Sequence, residues 1–191
     1  MKYVYGRIQK LADCLREAKI SNVIINQIMK DGENVIRKTT PERKADWMRE
    51  AMSRMDSLLD KKTRNSVREK CACCLGGKRR EIVKGIAKNH VELKDRIKAA
   101  NEAKNVFGHS VSLEKDGSII VSFAPEGRSD YRCVCLPKAK EPISITYCYC
   151  CGGHVKSHLQ EALGRKLSCT VKSSALSSKG QKPCQFSFKI I

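Results

Sequence analysis

No apolar run in this sequence approaches the roughly 20 residues that a bilayer-spanning helix needs. The opening residues, Met1-Lys2-Tyr3-Val4-Tyr5-Gly6-Arg7, have no long apolar centre of the kind a secretory signal carries. These absences predict a cytoplasmic chain with no membrane partner. Aromatic side chains are scarce, at 5%, so platforms for stacking single-stranded bases are few. Acidic residues are also short: 20 Asp and Glu stand against 38 Lys and Arg, for a formal net charge of +18. The basic excess is spread through alternating segments such as Glu42-Arg43-Lys44-Ala45-Asp46 and Glu92-Leu93-Lys94-Asp95-Arg96, the pattern of solvated helix surface. Nonspecific attraction to anions follows. Dedicated nucleic-acid binding, which needs a basic stripe, is admitted but not favoured.

Thiols are what this sequence has in plenty: 11 cysteines. In a reducing compartment that many cysteines mean metal ligation, redox work or buried thiols rather than disulfides. An odd count leaves at least one unpaired in any all-disulfide scheme.

The first half reads as helical. Val4, Ile8, Leu11 and Leu15 recur at three- and four-residue steps. Ser21-Asn22 offers a cap before Val23, Ile24, Ile25, Ile28 and Met29. Thr40-Pro41-Glu42 starts a helix that carries Trp47, Met48, Ala51, Met55, Leu58 and Leu59 on one side. The spacing predicts further helices from about Arg64 to Leu75, before Gly76-Gly77, and from Arg79 to about Ala103 with Ile82, Ile86, Val91, Leu93 and Ile97 as its apolar positions.

After Phe107-Gly108 the period becomes two. Val111, Leu113, Ile119, Val121 and Phe123 alternate around a Lys115-Asp116-Gly117 turn, predicting a hairpin. Strands are expected at Tyr131 to Leu136, Lys166 to Val171 and Cys184 to Ile190, a short extended piece at Pro142 to Tyr147, and a helix at Gly152 to Leu163. The fold class is α+β: N-terminal helices, then a mostly antiparallel sheet with one inserted helix. Residues 1–63 form the N-terminal helical region and residues 64–191 the α+β part of one compact unit.

Three segments concentrate the thiols. In Lys70-Cys71-Ala72-Cys73-Cys74-Leu75, a helix would put Cys71 and Cys74 on one face and turn Cys73 elsewhere. In Arg132-Cys133-Val134-Cys135, strand alternation puts both sulfurs on one face. In Tyr147-Cys148-Tyr149-Cys150-Cys151-Gly152-Gly153-His154, Cys148 and Cys150 share a face as the chain enters a helix. Along that helix Cys151, His154 and His158 fall at i, i+3 and i+7, beside an apolar side of Val155, Leu159, Ala162 and Leu163. A Cys151 thiolate at the helix N-terminus would be favoured by the backbone dipole.

A four-coordinate zinc site, or one for a similar thiophilic metal, can draw on Cys71 and Cys74 with two of Cys148, Cys150, Cys151 and His154. Standard zinc-finger knuckles are absent. The plain alternatives are that Cys133, Cys135, Cys169 and Cys184 are buried small hydrophobes, and that His154 and His158 form an exposed basic edge. His90 and His109 read as surface or loop histidines.

From Cys151 to Phe188 the order is cysteine and glycines, a helix, Ala162-Leu163-Gly164-Arg165, a strand, a Ser-rich turn, then Gly180 and Cys184-Gln185-Phe186. This resembles the end of the 4-vinyl-reductase-type domain, a small-molecule sensing module of bacterial and archaeal regulators. It is also similar to the last part of the L-2-amino-thiazoline-4-carboxylic acid hydrolase-like proteins, whose helix-then-cysteine region resembles Arg54 through Cys74. An uncharacterised bacterial cysteine-rich family shares the Cys-Cys-Gly-Gly-His motif. Where metal-bearing domains of the first group place a Glu and a Cys before the Gly-x-x-x-Cys ending, this chain has Ser173 and Leu176.

The resemblance implies a cytoplasmic binding domain for a small molecule or metal ion. As an alternative it implies a thiol- or zinc-dependent hydrolase of a small amide or thiazoline-like substrate. Cys151 would then be nucleophile or metal ligand, His154 or His158 the general base, and Arg79 or Arg80 the clamp on a substrate carboxylate. No recognised catalytic motif accompanies these residues. A homodimer is admitted by the sequence.

Overall fold

The structure is a computed structural model that describes residues 2–73 and 75–191. Its first half is a layer of helices, three of which are started by side-chain caps. α1, Gly6–Glu17, buries Ile8, Leu11, Ala12, Cys14 and Leu15. α2, Asn22–Ile28, begins at Ser21, whose hydroxyl accepts from the Ile24 amide. α3, Pro41–Leu58, begins at Thr40 in the same way and turns Trp47, Met48, Ala51, Met52 and Met55 inward. α4, Lys61–Lys70, is capped by Asp60. Each cap satisfies an amide that the first helical turn leaves without a partner.

Two helix boundaries depart from the sequence expectation. α4 stops at Lys70, and Cys71 caps it with its amide on the Val67 and Arg68 carbonyls, so the chain leaves the helix before Cys73. The expected Arg64–Leu75 helix thus forms only as far as Lys70; the expected Cys71/Cys74 pairing falls on Cys74, which lies outside the described residues. The long helix expected from Arg79 is two, α5 (Lys78–Asn89) and α6 (Leu93–Glu102). Arg96 holds the break. Its guanidinium donates to the carbonyls of Ala87 at 3.1 Å, His90 at 2.8 Å and Leu163 at 2.8 Å, covering the unsatisfied ends of two helices at once. Val91, in the break, is 86% exposed, and Ile82 and Val4 also face outward rather than into the core.

The sheet has four strands in the order β1-β2-β4-β3, all neighbours antiparallel: β1 Ser110–Leu113, β2 Ile119–Phe123, β3 Leu167–Ser173 and β4 Cys184–Ile190. The β1–β2 turn is tied by Asp116 Oδ1, which accepts from the Ser118 amide and hydroxyl. Between β2 and β3 the chain inserts α7, Tyr149–Leu163, entered directly from a 3-10 turn at Ile145–Cys148. The fold is α+β, with N-terminal helices, a sheet and the inserted helix in the expected order.

Tyr131 to Leu136 is not a strand, and Ile145–Cys148 replaces an extended piece with a turn of helix. The 131–136 segment pairs with no strand of the sheet. It is fastened through Tyr131, whose amide donates to the Gly180 carbonyl at 3.0 Å. Gly180 sits at φ +85°, and a side chain there would meet Asp130 Oδ1 at 2.9 Å and the Tyr131 carbonyl at 3.0 Å. Glycine is thus required twice at one position, for its conformation and for the loop it admits.

α7 is gripped from both sides at its paired glycines. A Cβ on Gly153 would stand 2.2 Å from the Glu69 carbonyl oxygen of α4, and one on Gly152 would meet the Cys169 sulfur of β3 at 2.8 Å. The glycines of the Cys-Cys-Gly-Gly-His motif are the contact points that draw the end of α4 and the sheet against α7. The core is continuous from Ile8, Leu11 and Met52 in the helical layer to Val155, Leu159, Phe186 and Phe188 between α7 and the sheet.

Candidate functional site: a thiol-lined cleft

Because the 3-10 turn runs straight into α7, residues 148, 150 and 151 project in three directions, not the alternating ones of a strand. Cys148 turns toward Ser174, sulfur to hydroxyl oxygen 2.8 Å, and toward Cys184 at the start of β4. Cys150 turns toward the end of α4, donating to the Cys71 carbonyl at 3.4 Å and pairing with the Cys73 thiol. Cys151 faces a cleft of about 420 Å³.

That cleft is walled by thiols from three separate segments: Cys133 and Cys135 from the loop after β2, Cys148, Cys150 and Cys151 from the start of α7, and Cys184 from β4. Phe123, Phe186, Tyr131 and Tyr147 supply aromatic walls, and Arg128 and Arg132 stand at the same site. The ten described cysteines are all thiols. Four pairs of thiols lie close enough to perturb each other's ionisation: Cys133 with Cys135, Cys148 with Cys184, Cys73 with Cys150, and, deeper, Cys14 of α1 with Cys71.

Pairing splits the thiols into two kinds. The hydrogen bond from Cys148 lowers the Cys184 thiol, and the one from Cys73 lowers Cys150. The partner hydrogen bonds, with burial second, push Cys71, Cys135 and Cys148 up. Cys151 is also pushed up, chiefly by burial, with its thiol neighbours adding to it. The expected dipole-stabilised Cys151 thiolate is therefore corrected: α7 has no free N-terminus there, since Cys148 ahead of it is already helical, and desolvation disfavours the anion.

His154 and His158 are buried, at 9% and 1% exposure, so the exposed basic edge is overturned. Their rings meet edge to face with centroids 4.7 Å apart, and His158 meets Phe107 at 6.5 Å. Burial, the adjacent His158 and Arg79 together hold His154 down at about 4. Its Nδ1 has no hydrogen-bond partner among the described residues. Neither imidazole lines the cleft that Cys151 faces; the three residues share a helix side but not a cavity.

Cys71 is buried and directs its sulfur to the Val67 carbonyl at 3.3 Å and to Cys14, leaving its carbonyl to Cys150. Cys73, expected to point elsewhere, is the α4-side thiol that reaches α7. Arg79 and Arg80 sit exposed at the start of α5; Arg80 Nε lies 3.3 Å from Glu161, and neither arginine lines the cleft. Among the described residues no three Cys, His, Asp or Glu side chains converge to hold one metal ion as they stand.

The sequence reading passed over His109, Cys133, Cys135 and Cys184 as site residues. His109 packs edge to face on Phe123, has a buried Nδ1 without a partner among the described residues, and lines the cleft. Their separation along the chain hid them. Gly180 was the one available signal, because it marks where the loop carrying Cys133 and Cys135 must dock.

These features define a class: an α+β domain in which a thiol-lined cleft opens between a sheet, a docked loop and the first turn of an inserted helix. The chain belongs to a family of unknown function, DUF6144, which matches residues 5–190. Neither the curated proteins nor the solved structures include a match to it.

Proposed function

We propose that the chain is a binding module for a small molecule that carries a soft, thiol-seeking centre on an apolar body, held in the cleft between Cys133, Cys151, Cys184 and the Phe123 and Phe186 rings. The observation that carries this reading is the convergence of six thiols and four aromatic rings on one cavity of about 420 Å³, within the size range of small-molecule sites. Aromatic walls favour an apolar body, while sulfur selects soft partners over hard ones. The likeness of the Cys151–Phe188 segment to small-molecule sensing domains supports the same reading.

A thiophilic metal ion, zinc above all, is the second reading. It is favoured by the meeting of Cys133 with Cys135 and of Cys148 with Cys184 as two-thiol halves, and by the unpartnered, buried Nδ1 of His154 beside Cys73. The hydrolase reading draws less support, since the raised Cys151 thiol is the reverse of an activated nucleophile.

Native mass spectrometry and elemental analysis of untagged protein separate these. The first reading expects an organic adduct lost on denaturation and less than about a tenth of an equivalent of metal. Near-stoichiometric zinc, removed by chelation with loss of stability, would replace it with the second.

A further inference from the structure

A second cavity, about 350 Å³, opens between the start of α1, the end of α4 and the first turn of α7. It shares Cys135, Tyr147 and Cys150 with the thiol-lined cleft but differs in charge. Arg7, Lys10 and Arg68 stand in its wall, and among the described residues no Asp or Glu does.

Arg68 is the informative one. It is 3% exposed and, among the described residues, in no ion pair. Its Nη2 donates to the Tyr147 carbonyl at 3.1 Å, and its guanidinium lies 4.8 Å from the centroid of the Tyr147 ring. Its Nε is buried with no hydrogen-bond partner among the described residues. A charge taken out of water is ordinarily matched by a counter-charge and satisfied donors. The groups facing Arg68 that could become anionic are Cys71, Cys148, Cys150 and Tyr147. Partner hydrogen bonds and burial keep Cys71 and Cys148 protonated, and burial does so for Tyr147. Cys150 is the remaining internal competitor. Arg7 cannot substitute for an anion and is itself committed, Nη1 donating to the Cys135 carbonyl at 2.8 Å.

We propose that this cavity binds a small organic anion, a carboxylate or a phosphate monoester, whose head group completes the coordination of Arg68 while its apolar body rests on Met48 and Tyr147. A planar guanidinium matches both head groups. Lys10, exposed at the mouth, adds attraction without fixing geometry. This site is independent of the soft-ligand reading, because its ligand needs no thiol-seeking centre.

The test is calorimetric titration of the full chain with benzoate and, separately, phenyl phosphate, at constant ionic strength in chloride buffer. Saturable binding of at least one probe is expected, and the tighter of the two assigns the head group. Affinity for it should fall about tenfold in Arg68→Gln and roughly threefold in Lys10→Gln, with Lys61→Gln on the far end of α4 unchanged. Should Arg68→Gln fail to fold, Lys10→Gln against Lys61→Gln decides alone. The proposal is overturned if neither probe saturates below about 10 mM, or if Lys61→Gln weakens binding as much as Lys10→Gln, which is what diffuse attraction to a +18 chain would give.

Discussion

At the scale of single residues, the presence of a neighbouring thiol is what distinguishes otherwise similar cysteines. Cys150, Cys151, Cys169 and Cys184 are all partly buried. A partner thiol beside each of Cys150 and Cys184 favours its anion, while burial pushes Cys151 and Cys169 up, Cys169 to about 12. Since the thiolate is the reacting form, brief iodoacetamide treatment near neutral pH should label Cys184 and Cys150 ahead of Cys151 and Cys169, as read by peptide mass mapping. Equal labelling of all four would mean that access, not pairing, controls them.

His154 makes a second residue-scale prediction. Its proton affinity falls from 6.5 in the unfolded chain to about 4 in the fold. The unfolded chain therefore binds the proton first. The contribution to stability is complete above pH 6.5 and is lost as pH drops toward 4. Discounted for residual solvent screening, the loss is on the order of 1–2 kcal/mol. Urea denaturation of metal-free protein at several pH values should show a shallower acid decline in His154→Leu than in wild type. Parallel declines would place the acid sensitivity elsewhere.

At the scale of elements, the glycine pair of α7 sets how closely helices and sheet approach. Gly153→Ala puts a methyl against the Glu69 backbone, which cannot turn aside, whereas Gly152→Ala presses on the Cys169 sulfur, which can. Although alanine gains up to about 1 kcal/mol in helix propensity, Gly153→Ala should destabilise by about 3 kcal/mol. Gly152→Ala should stay within about 1 kcal/mol of wild type. Thermal unfolding of both variants measures this, and the reverse order would contradict the packing described.

Elements were legible in the sequence where their causes are local. Ser21, Thr40-Pro41 and the Asp116-Gly117 turn each act on their own neighbours, and the period of two from Val111 to Phe123 survives because that hairpin has its own partner strand. Tyr131–Leu136 alternates as well as a strand does, yet its backbone is tied to Gly180 rather than to a neighbouring strand, and alternation alone does not supply a partner. The α5–α6 break depends on Arg96 reaching the Leu163 carbonyl of a distant helix, and nothing near residue 90 announces that. Helix α4 likewise ends early where its last carbonyls meet Gly153.

At the scale of the whole molecule, the candidate site was half legible. The Cys-Cys-Gly-Gly-His segment shows in the sequence as a concentration of thiols, and Cys148, Cys150 and Cys151 line the cleft. Their partners were not legible, because Cys73, Cys133, Cys135, Cys184 and Ser174 arrive through tertiary folding. No helix among the described residues is long and apolar enough to cross a membrane.

The cleft is the central claim, and a probe with its proposed chemistry tests it most directly. Phenylarsine oxide carries a thiophilic arsenic on an aromatic body; it bonds two thiolates to arsenic, the two thiol protons leaving with the oxygen as water. Titrated against the native, reduced protein and followed by native mass spectrometry, it should add about one equivalent at Cys148 and Cys184, which line the cleft as neighbours. Cys184→Ser should abolish that adduct and Cys169→Ser leave it intact. A native protein that refuses the probe while the denatured chain takes it up freely would mean the thiols are buried filling, and no binding cleft.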